Sequence, residues 1–201
     1  HKEHDAALER VLSSAADGQK GDLSIGTTRR GIGPTYADKV HRSLAIRMGE
    51  LLDPDHLRAR LEVICAIRSR ELTALGVDAP PLDPEALSEE YAALGQRLKP
   101  HIIDTVYALN DMRRAGRSIL FEGANACLLD IDHGTFPYVT SSNSSTLGIP
   151  AGTGLAPPCA EQIIGIMKAY STRVGAGPFP TEALGDDGDR IRERGNEYGT
   201  T

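Results

Sequence analysis

A series of helix start and stop signals between residues 53 and 116 constrains the fold of this chain more than any other feature. Asp53-Pro54 and Asp83-Pro84 each place a capping carboxylate before a proline at the first helical position. Apolar residues then recur at helical spacing, and Gly76, Pro100 and Gly116 end the three successive patterns. The sequence predicts three successive amphipathic helices whose apolar faces are Leu57, Leu61, Ile64, Cys65, Leu72 and Leu75, then Leu87, Tyr91, Leu94 and Leu98, then Ile102, Ile103, Val106, Leu109 and Met112.

The residues on either side of this helical stretch predict an α/β fold. A short helix over 5–13 precedes a glycine-rich loop, and past the third helix the compact apolar run 118–121 indicates a buried strand. Residues 160–167 then predict a helix and 169–174 a second strand. Strand, loop, helix and strand in this order predict a parallel βαβ unit, whose ligands lie at the carboxyl ends of the strands. The predicted apolar face of the first helix comprises Ala7, Leu8, Val11 and Leu12.

Charge and cysteine content exclude several classes of protein. The chain has 22 Lys and Arg residues and 28 Asp and Glu residues, which gives a net charge of −6. It therefore offers no basic stripe for binding nucleic acid. No apolar run approaches the ~20 residues that a membrane helix needs. The three cysteines are far apart and lack CxxC spacing, which argues against a disulfide framework and a zinc site. We expect a cytoplasmic protein with neither nucleic-acid nor membrane partners.

The loop over residues 26–34 is the first candidate site. The hydroxyls of Thr27 and Thr28, the guanidinium groups after them and the glycine amides can together surround a phosphate. The alternative is an ordinary glycine-rich surface loop with solvated arginines. Lys39 and Arg42 follow three residues apart, so they add cations on one face if a helix starts near Pro34.

A second candidate site is the acidic cluster of Asp130, Asp132 and His133. These side chains could form a metal or acid–base set. A structural role, in which the carboxylates accept backbone N–H bonds in a tight turn, is at least as well supported by the pattern. The hydroxyl-rich run over 140–146 suits sugar or phosphate recognition, although such runs are more often plain loops.

Several longer motifs, in their order along the chain, resemble those of the adenylosuccinate synthetase family. The resemblance covers essentially the whole chain. It implies part of a P-loop-NTPase-like, mainly parallel sheet with an inserted helical layer, divided into a helical subdomain over about 35–116 and a βαβ portion with substrate loops over about 117–201. The motifs are residues 24–36 with Lys39 and Arg42 in the pattern G-I-G-P-x-Y-x-x-K-x-x-R, then residues 121–125, 129–135, 137–143 and 168–182.

The resemblance implies a reaction of purine nucleotide biosynthesis. The family joins IMP to L-aspartate with GTP as co-substrate and Mg2+ as cofactor. The γ-phosphoryl group moves to the 6-oxygen of IMP, and the aspartate amine then displaces that phosphate, which is a better leaving group than the original oxygen. The implied partners are therefore IMP, L-aspartate, GTP and a second copy of the chain in a homodimer.

Four residues match IMP-binding positions of the family. Thr28 and Thr140 correspond to hydroxyl donors to the IMP phosphate, and Asn125 corresponds to a nucleotide contact. Arg42 resembles the arginine that reaches the IMP phosphate of the neighbouring subunit, which is the basis for expecting a homodimer.

Three further residues match other positions of the family. Lys39 is the active-site lysine of the signature, and we assign it a supporting electrostatic role in catalysis. Thr200 and Thr201 resemble the opening of the aspartate-binding loop. No residue of this chain is predicted to bind a metal.

The resemblance also predicts that this chain is incomplete. The family's glycine-rich phosphate loop, its catalytic aspartate and histidine, its Mg2+ ligands and the arginines of its aspartate loop have no counterpart here. We therefore expect GTP and Mg2+ to be bound mainly by missing segments, and the chain alone to lack ligase activity. The alternatives are a non-catalytic nucleotide-phosphate-binding module, such as a degenerate paralogue, and a purely structural α/β protein.

Overall fold

The computed structural model describes residues 2–14, 25–77, 81–197 and 199, and the chain divides into two compact units. The first, His1–Val11 with Gly31–Leu120, is called the helical unit; the second, Leu12–Arg30 with Phe121–Thr201, is called the loop unit.

No helix among the described residues is long and apolar enough to cross a membrane. The α-helices are α1 (Lys2–Ser14), α2 (Ile32–His41), α3 (Pro54–Ala74), α4 (Pro84–Leu98), α5 (Thr105–Arg114), α6 (Gly148–Thr153) and α7 (Asp186–Gly195), with 3-10 turns at Met48–Leu52, Lys99–His101 and Cys127–Leu129.

Helices α3 and α4 begin at the predicted residues. The Asp53 carboxylate accepts a hydrogen bond from the backbone N–H of His56 at 3.1 Å, and Asp83 accepts from Glu85 and Ala86 at 3.0 and 3.1 Å. Each cap satisfies N–H groups that the first helical turn leaves without a partner. The predictions of these two helix starts are confirmed.

The core of the helical unit forms where α3 and α4 pack on the 3-10 turn before them. Leu51, Leu57 and Leu61 are buried together, with Leu87 and Ala92 of α4 packed against them. Leu57 is wholly inaccessible, and Ile64, Cys65 and Leu72 of the same α3 face are also buried. The apolar face predicted for α3 is therefore a core face.

The apolar faces predicted for α4 and α5 are wrong in part. Tyr91 and Leu98 of α4 are exposed, and α4 instead buries Ser88 and Gly95, on a neighbouring stripe. In α5, which has no buried residue, Val106 is 45% exposed. Helical spacing identifies an apolar face but does not specify which stripe a neighbouring element covers.

Helix α1 buries acidic residues where an apolar face was expected. Ala7 of the predicted apolar face is buried, but Leu8 and Val11 are each 38% exposed, whereas Asp5 and Glu9, one turn apart, are buried. The Asp5 carboxylate accepts a hydrogen bond from the backbone N–H of Gly31 at 3.0 Å. Gly31 is the N-cap of α2 and has no side chain with which to cap it, so Asp5 supplies the negative charge that a helix N-terminus favours.

A buried ion pair joins α2 to α3. The Arg68 guanidinium contacts the carboxylates of Asp38 on α2 and Glu71 on α3, and both Arg68 and Asp38 are buried. His4 of α1 lies 3.6 Å from Glu71. Burial, together with Arg68, lowers the pKa of His4 below its ordinary value, so His4 is neutral near pH 7. The ion pair between Arg68 and Asp38 therefore holds α2, which carries Lys39, against α3.

The loop unit contains little regular structure among its described residues. The run 118–121, most of which belongs to the helical unit, and residues 169–174 do not form strands, apart from a single bridge residue at Arg173, and residues 160–167 do not form a helix. The predictions of two strands and an intervening helix are therefore wrong for this structure. A strand requires a neighbouring strand to satisfy its backbone, and without one the run over 118–121 leaves Leu120 91% exposed.

Replacing Arg68 tests the ion pair. We expect Arg68→Met to lower the free energy of unfolding by about 3–5 kcal/mol, because it leaves buried carboxylate charge without its cation. The exposed neighbour Arg70 provides a matched control, since Arg70→Met removes the same charge from the surface. Urea unfolding of both variants measures the difference, and equal losses would contradict a stabilising role for the pair.

Candidate functional site

Two loops of the loop unit meet at the carboxylate of Asp130, which is fully buried. One oxygen accepts the backbone N–H groups of Asp132 and His133 at 3.0 and 3.1 Å. The other accepts those of Ser144 and Ser145 at 2.8 and 3.0 Å. These hydrogen bonds, that from Ser145 above all, hold the pKa of Asp130 well below its ordinary value, although burial acts in the opposite direction.

The sequence left two alternatives open for Asp130, a metal or acid–base group and a structural carboxylate. The structure supports the structural role. Its oxygens are occupied by backbone donors, and its neighbour Asp132 accepts a hydrogen bond from the Asn143 amide at 2.6 Å. Among the residues that the structure describes, no group of three or more His, Cys, Asp or Glu side chains is placed to hold a metal ion. The carboxylates of Asp130 and Asp132 therefore hold neighbouring loops together.

The loops joined at Asp130 carry two of the predicted IMP residues, Asn125 and Thr140. The backbone N–H of Thr140 donates to the Leu129 carbonyl at 2.8 Å. The Ser144 hydroxyl donates to the Ala126 carbonyl at 2.9 Å, next to Asn125. Asn125 is exposed and Thr140 half-buried, so both side chains belong to accessible loops with a common attachment.

The loop that carries Thr28 is attached to another part of the loop unit. The backbone N–H of Ala176 donates to the Ile25 carbonyl at 2.9 Å. A Cβ on Gly26 would lie 2.8 Å from the Cα of Gly175, so the two backbones approach too closely for a side chain at that position. Thr28 itself is exposed, three residues after this contact.

Arg173 joins this attachment to the loop that carries Thr140. Its Nη2 donates to the Tyr138 carbonyl at 2.9 Å, and its Nε donates to the Ala176 carbonyl at 3.0 Å. The Thr28 and Thr140 loops are therefore both tied to residues 173–176. Sequence reasoning assigned Arg173 no role, and its position within the motif over 168–182 was the only available signal.

Lys39 and Arg42 belong to the helical unit, where α2 ends between them. The spacing predicts one helical face for both, but α2 ends at His41 and Arg42 is the residue that caps it. The backbone N–H of Arg42 donates to the Asp38 carbonyl at 2.8 Å. The Lys39 ammonium lies 5.8 Å from the centre of the Tyr36 ring.

Lys39 and Arg42 nevertheless line the same cavity, whose volume is about 430 Å3. Glu50 is its one acidic group, and that carboxylate is engaged by the Arg47 backbone N–H at 2.5 Å and the His56 ring at 3.0 Å. These hydrogen bonds and nearby Arg60 lower the pKa of Glu50, although burial opposes the shift. A cavity with more cations than anions suits an anionic ligand. Its lining comprises Lys39, Arg42, Ala45, Arg47, Glu50, His56 and Arg60.

Positive φ angles occur at or beside predicted site residues. Among the described residues other than glycine, they are found at Arg29, Arg42, Asn125 and Asn196, with φ of 55°, 69°, 67° and 52°. This left-handed region is uncommon for residues with a Cβ, and such strain is concentrated at functional sites. Arg42 and Asn125 are predicted IMP residues, and Arg29 follows Thr28. Thr200 and Thr201, predicted to open the aspartate loop, lie outside the described residues.

Comparison with known proteins gives consistent matches. The model of a family described as adenylosuccinate synthetase matches residues 4–201. Curated adenylosuccinate synthetases from Nostoc punctiforme and Thermosynechococcus vestitus are 48% and 51% identical over 192 residues, which is 96% of this chain but 42% of each relative. A structure of fully ligated adenylosuccinate synthetase from Plasmodium falciparum matches with a TM-score of 0.80 and 33% identity, covering 98% of this chain and 44% of that one. The chain thus spans less than half the length of these relatives.

Removing the charge of Asp130 tests its role in joining the loops. In Asp130→Asn we expect the amides of residues 132, 133, 144 and 145 to exchange hydrogen at least about tenfold faster, because the amide that replaces the carboxylate offers one acceptor oxygen in place of two. Hydrogen exchange read by mass spectrometry measures this, with the exposed Asp187→Asn as control. Unchanged exchange at these positions would contradict the role.

The same carboxylate predicts an acid limit for these loops. Because its pKa is lower in the folded chain than in the unfolded chain, its stabilising contribution is present above about pH 3.9 and is lost as pH falls through the folded value. The exchange difference between wild type and Asp130→Asn should accordingly disappear in strong acid.

Proposed function

Because this chain belongs to the adenylosuccinate synthetase family, we propose that it takes part in the GTP-dependent joining of IMP to L-aspartate, in purine nucleotide biosynthesis. Its share of the reaction is to bind IMP and to form contacts between subunits. The family match over residues 4–201 supports the reaction, and the observation that carries this chain's share is the common attachment of the Thr28 and Thr140 loops to residues 173–176.

In this proposal the hydroxyls of Thr28 and Thr140 donate hydrogen bonds to the IMP phosphate. Hydrogen bonds to a charged acceptor are stronger than those between neutral groups, and a doubly charged phosphate accepts several at once. Two donors can act on one phosphate only if their loops keep a constant separation. The hydrogen bonds of Arg173 to Tyr138 and Ala176 support such a separation.

Asn125 contributes a side-chain amide, which can both donate to and accept from a purine ring. Its left-handed backbone conformation, with φ of 67°, orients the side chain differently from an extended residue. The attachment of Ala126 to Ser144, which also contacts Asp130, keeps this turn beside the Thr140 loop. Asn125 and Thr140 can therefore contact different parts of one nucleotide.

Arg42 supplies positive charge to the phosphate of IMP bound in a second subunit, and Lys39 provides supporting electrostatics in catalysis. The cationic cavity that they line supports this role, because its single carboxylate is already engaged. The guanidinium of Arg42 can form two parallel hydrogen bonds to phosphate oxygens, whereas Lys39 acts as a point charge. A homodimer follows from this assignment, and so does a cytoplasmic location, where IMP and GTP are available.

The described residues do not fit a Mg2+ site, since they contain no suitable group of ligands and the Asp130 oxygens are occupied by backbone donors. GTP, Mg2+ and the phosphoryl transfer itself belong, in this proposal, to parts of the relatives outside the matched region.

A chimera tests the proposed reaction. Residues of this chain replace the matching 192 residues of the Nostoc punctiforme relative, and the change in ultraviolet absorbance follows conversion of IMP with GTP, aspartate and Mg2+. We expect a kcat within about tenfold of the parent enzyme, a difference of about 1.4 kcal/mol in activation free energy. A folded chimera that binds IMP without turnover would support a non-catalytic binding module, and one that does not bind IMP would contradict both functions.

Removing one hydroxyl tests the phosphate contact. In the active chimera, Thr140→Val should raise KM for IMP about 10- to 100-fold, because a hydrogen bond to a charged group contributes about 1.5–3 kcal/mol. KM for aspartate should change little. Thr105→Val, which alters an exposed threonine of α5, is the control, and an equal effect of both substitutions would contradict the contact.

A further inference from the structure

Glu197, two residues past the end of α7, is held by two side chains of the motif over 168–182. The Lys168 ammonium and the Tyr170 hydroxyl both donate to the same oxygen of Glu197, each at 2.9 Å. Lys168 also donates to the Thr172 hydroxyl at 2.6 Å and lies 5.3 Å from the centre of the Tyr170 ring. The side chain of Glu197 is only 19% exposed. The four groups form one connected cluster.

Two groups of the cluster, Glu197 and Tyr170, have shifted pKa values. Lys168 first, and then Tyr170, lower the pKa of Glu197 below its ordinary value, although burial opposes the shift. The hydrogen bond to Glu197 raises the pKa of Tyr170 above its ordinary value. Glu197 therefore accepts from two donors throughout the physiological range.

The backbone on both sides of Glu197 lies against the same segment. A Cβ on Gly195 would collide with the Tyr170 hydroxyl, and one on Gly199 would collide with the Arg173 carbonyl oxygen and lie 3.0 Å from a Val174 methyl group. The approach of Gly199 to the Arg173 backbone leaves no room for a side chain, whereas the Tyr170 hydroxyl beside Gly195 is the end of a side chain that can move. Gly195, Glu197 and Gly199 therefore each lie against the segment over 168–174.

The segment that receives Glu197 is the one to which the IMP loops are attached. Arg173 binds the Tyr138 carbonyl, two residues before Thr140, and Ala176 binds the Ile25 carbonyl, three residues before Thr28. A displacement of Glu197 and Gly199 along this segment would alter their position relative to both loops.

We propose that Glu197 is a positioning residue for the amino-acid substrate: its attachment to Lys168 and Tyr170 fixes Gly199, the residue before Thr200 and Thr201 in the sequence, against the segment to which the IMP loops are attached. This proposal rests on the proposed function, which assigns those threonines to aspartate binding. Three residues of backbone span at most about 11 Å, so the anchor at Glu197 limits the volume that Thr200 can reach. Glu197 touches neither substrate nor reacting atoms in this role.

The test uses Glu197→Gln in the chimera described above. The amide keeps the size of the side chain and one acceptor oxygen but loses the charge that strengthens both hydrogen bonds. We expect KM for L-aspartate to rise about tenfold, while kcat and KM for IMP and GTP change less than about twofold. Glu193→Gln, an exposed carboxylate on α7, is the matched control and should leave all constants unchanged.

Two further variants show whether Glu197 acts through its partners. Lys168→Met and Tyr170→Phe should each raise KM for aspartate in the same direction, because each removes one donor from Glu197. In the double variant Lys168→Met with Glu197→Gln, the effect should be close to that of one substitution, since both remove the same interaction. Additive effects would overturn the proposal.

Further results with the chimera also test the positioning role of Glu197. A KM for aspartate within about twofold of the unmodified chimera overturns the proposal, and so does an equal loss in all constants accompanied by a lower Tm. If the unmodified chimera is inactive, the proposed function fails, and hydrogen exchange of the peptide over 195–201 then tests the anchor separately. If hydrogen exchange of this peptide is faster in Glu197→Gln than in Glu193→Gln, the attachment through Glu197 is supported. If it is no faster, that attachment is overturned.

Discussion

The buried carboxylate of Asp130 is the interaction on which the candidate site depends. The described part of the loop unit has almost no strand pairing, so its loops cannot be aligned by a backbone ladder. One anion that accepts four backbone N–H groups from two loops provides that alignment instead. A carboxylate suits this position because its two oxygens together offer about four lone pairs, enough for donors arriving from different directions. Arg173 and Glu197 likewise use a charged side chain to hold neighbouring segments together. Each contacts a backbone or side-chain group that is distant in sequence.

Charge also organises the helical unit. Asp5 caps α2 from another helix, and Arg68 pairs with Asp38 on the buried side of that helix. The exposed side of α2 carries Lys39, and Arg42 stands at its end in a strained backbone conformation. Buried charges on one side of a helix thus hold the cations on its other side at the rim of a cavity. Such ion pairs confer specific placement more reliably than net stability, because removing charges from water carries a large desolvation penalty.

The helix starts of the middle region could be predicted because their causes are local. An aspartate followed by a proline satisfies the first N–H groups of a helix whatever lies around it, and Asp53 and Asp83 do so here. The covered face of α4 and the acidic buried face of α1 could not be predicted, because they depend on which elements lie alongside. The strand expected over 118–121 failed for the same reason, since an apolar run becomes a strand only when a neighbour accepts its hydrogen bonds. The roles of Arg173 and Glu197 depend on residues 35 and 29 positions away along the chain.

Local spacing and long motifs were sufficient to establish the helix starts, the family and the residues that are candidates for IMP binding. Their physical basis is short-range capping and periodicity, together with residue types whose chemistry suits a phosphate. The folded chain was required to show the burial of Asp130, the cavity shared by Lys39 and Arg42, and the contacts of Gly195 and Gly199 with residues 170–174. Each of these joins groups separated along the sequence, and their burial, distance and hydrogen bonding are set by tertiary packing, which no local pattern encodes.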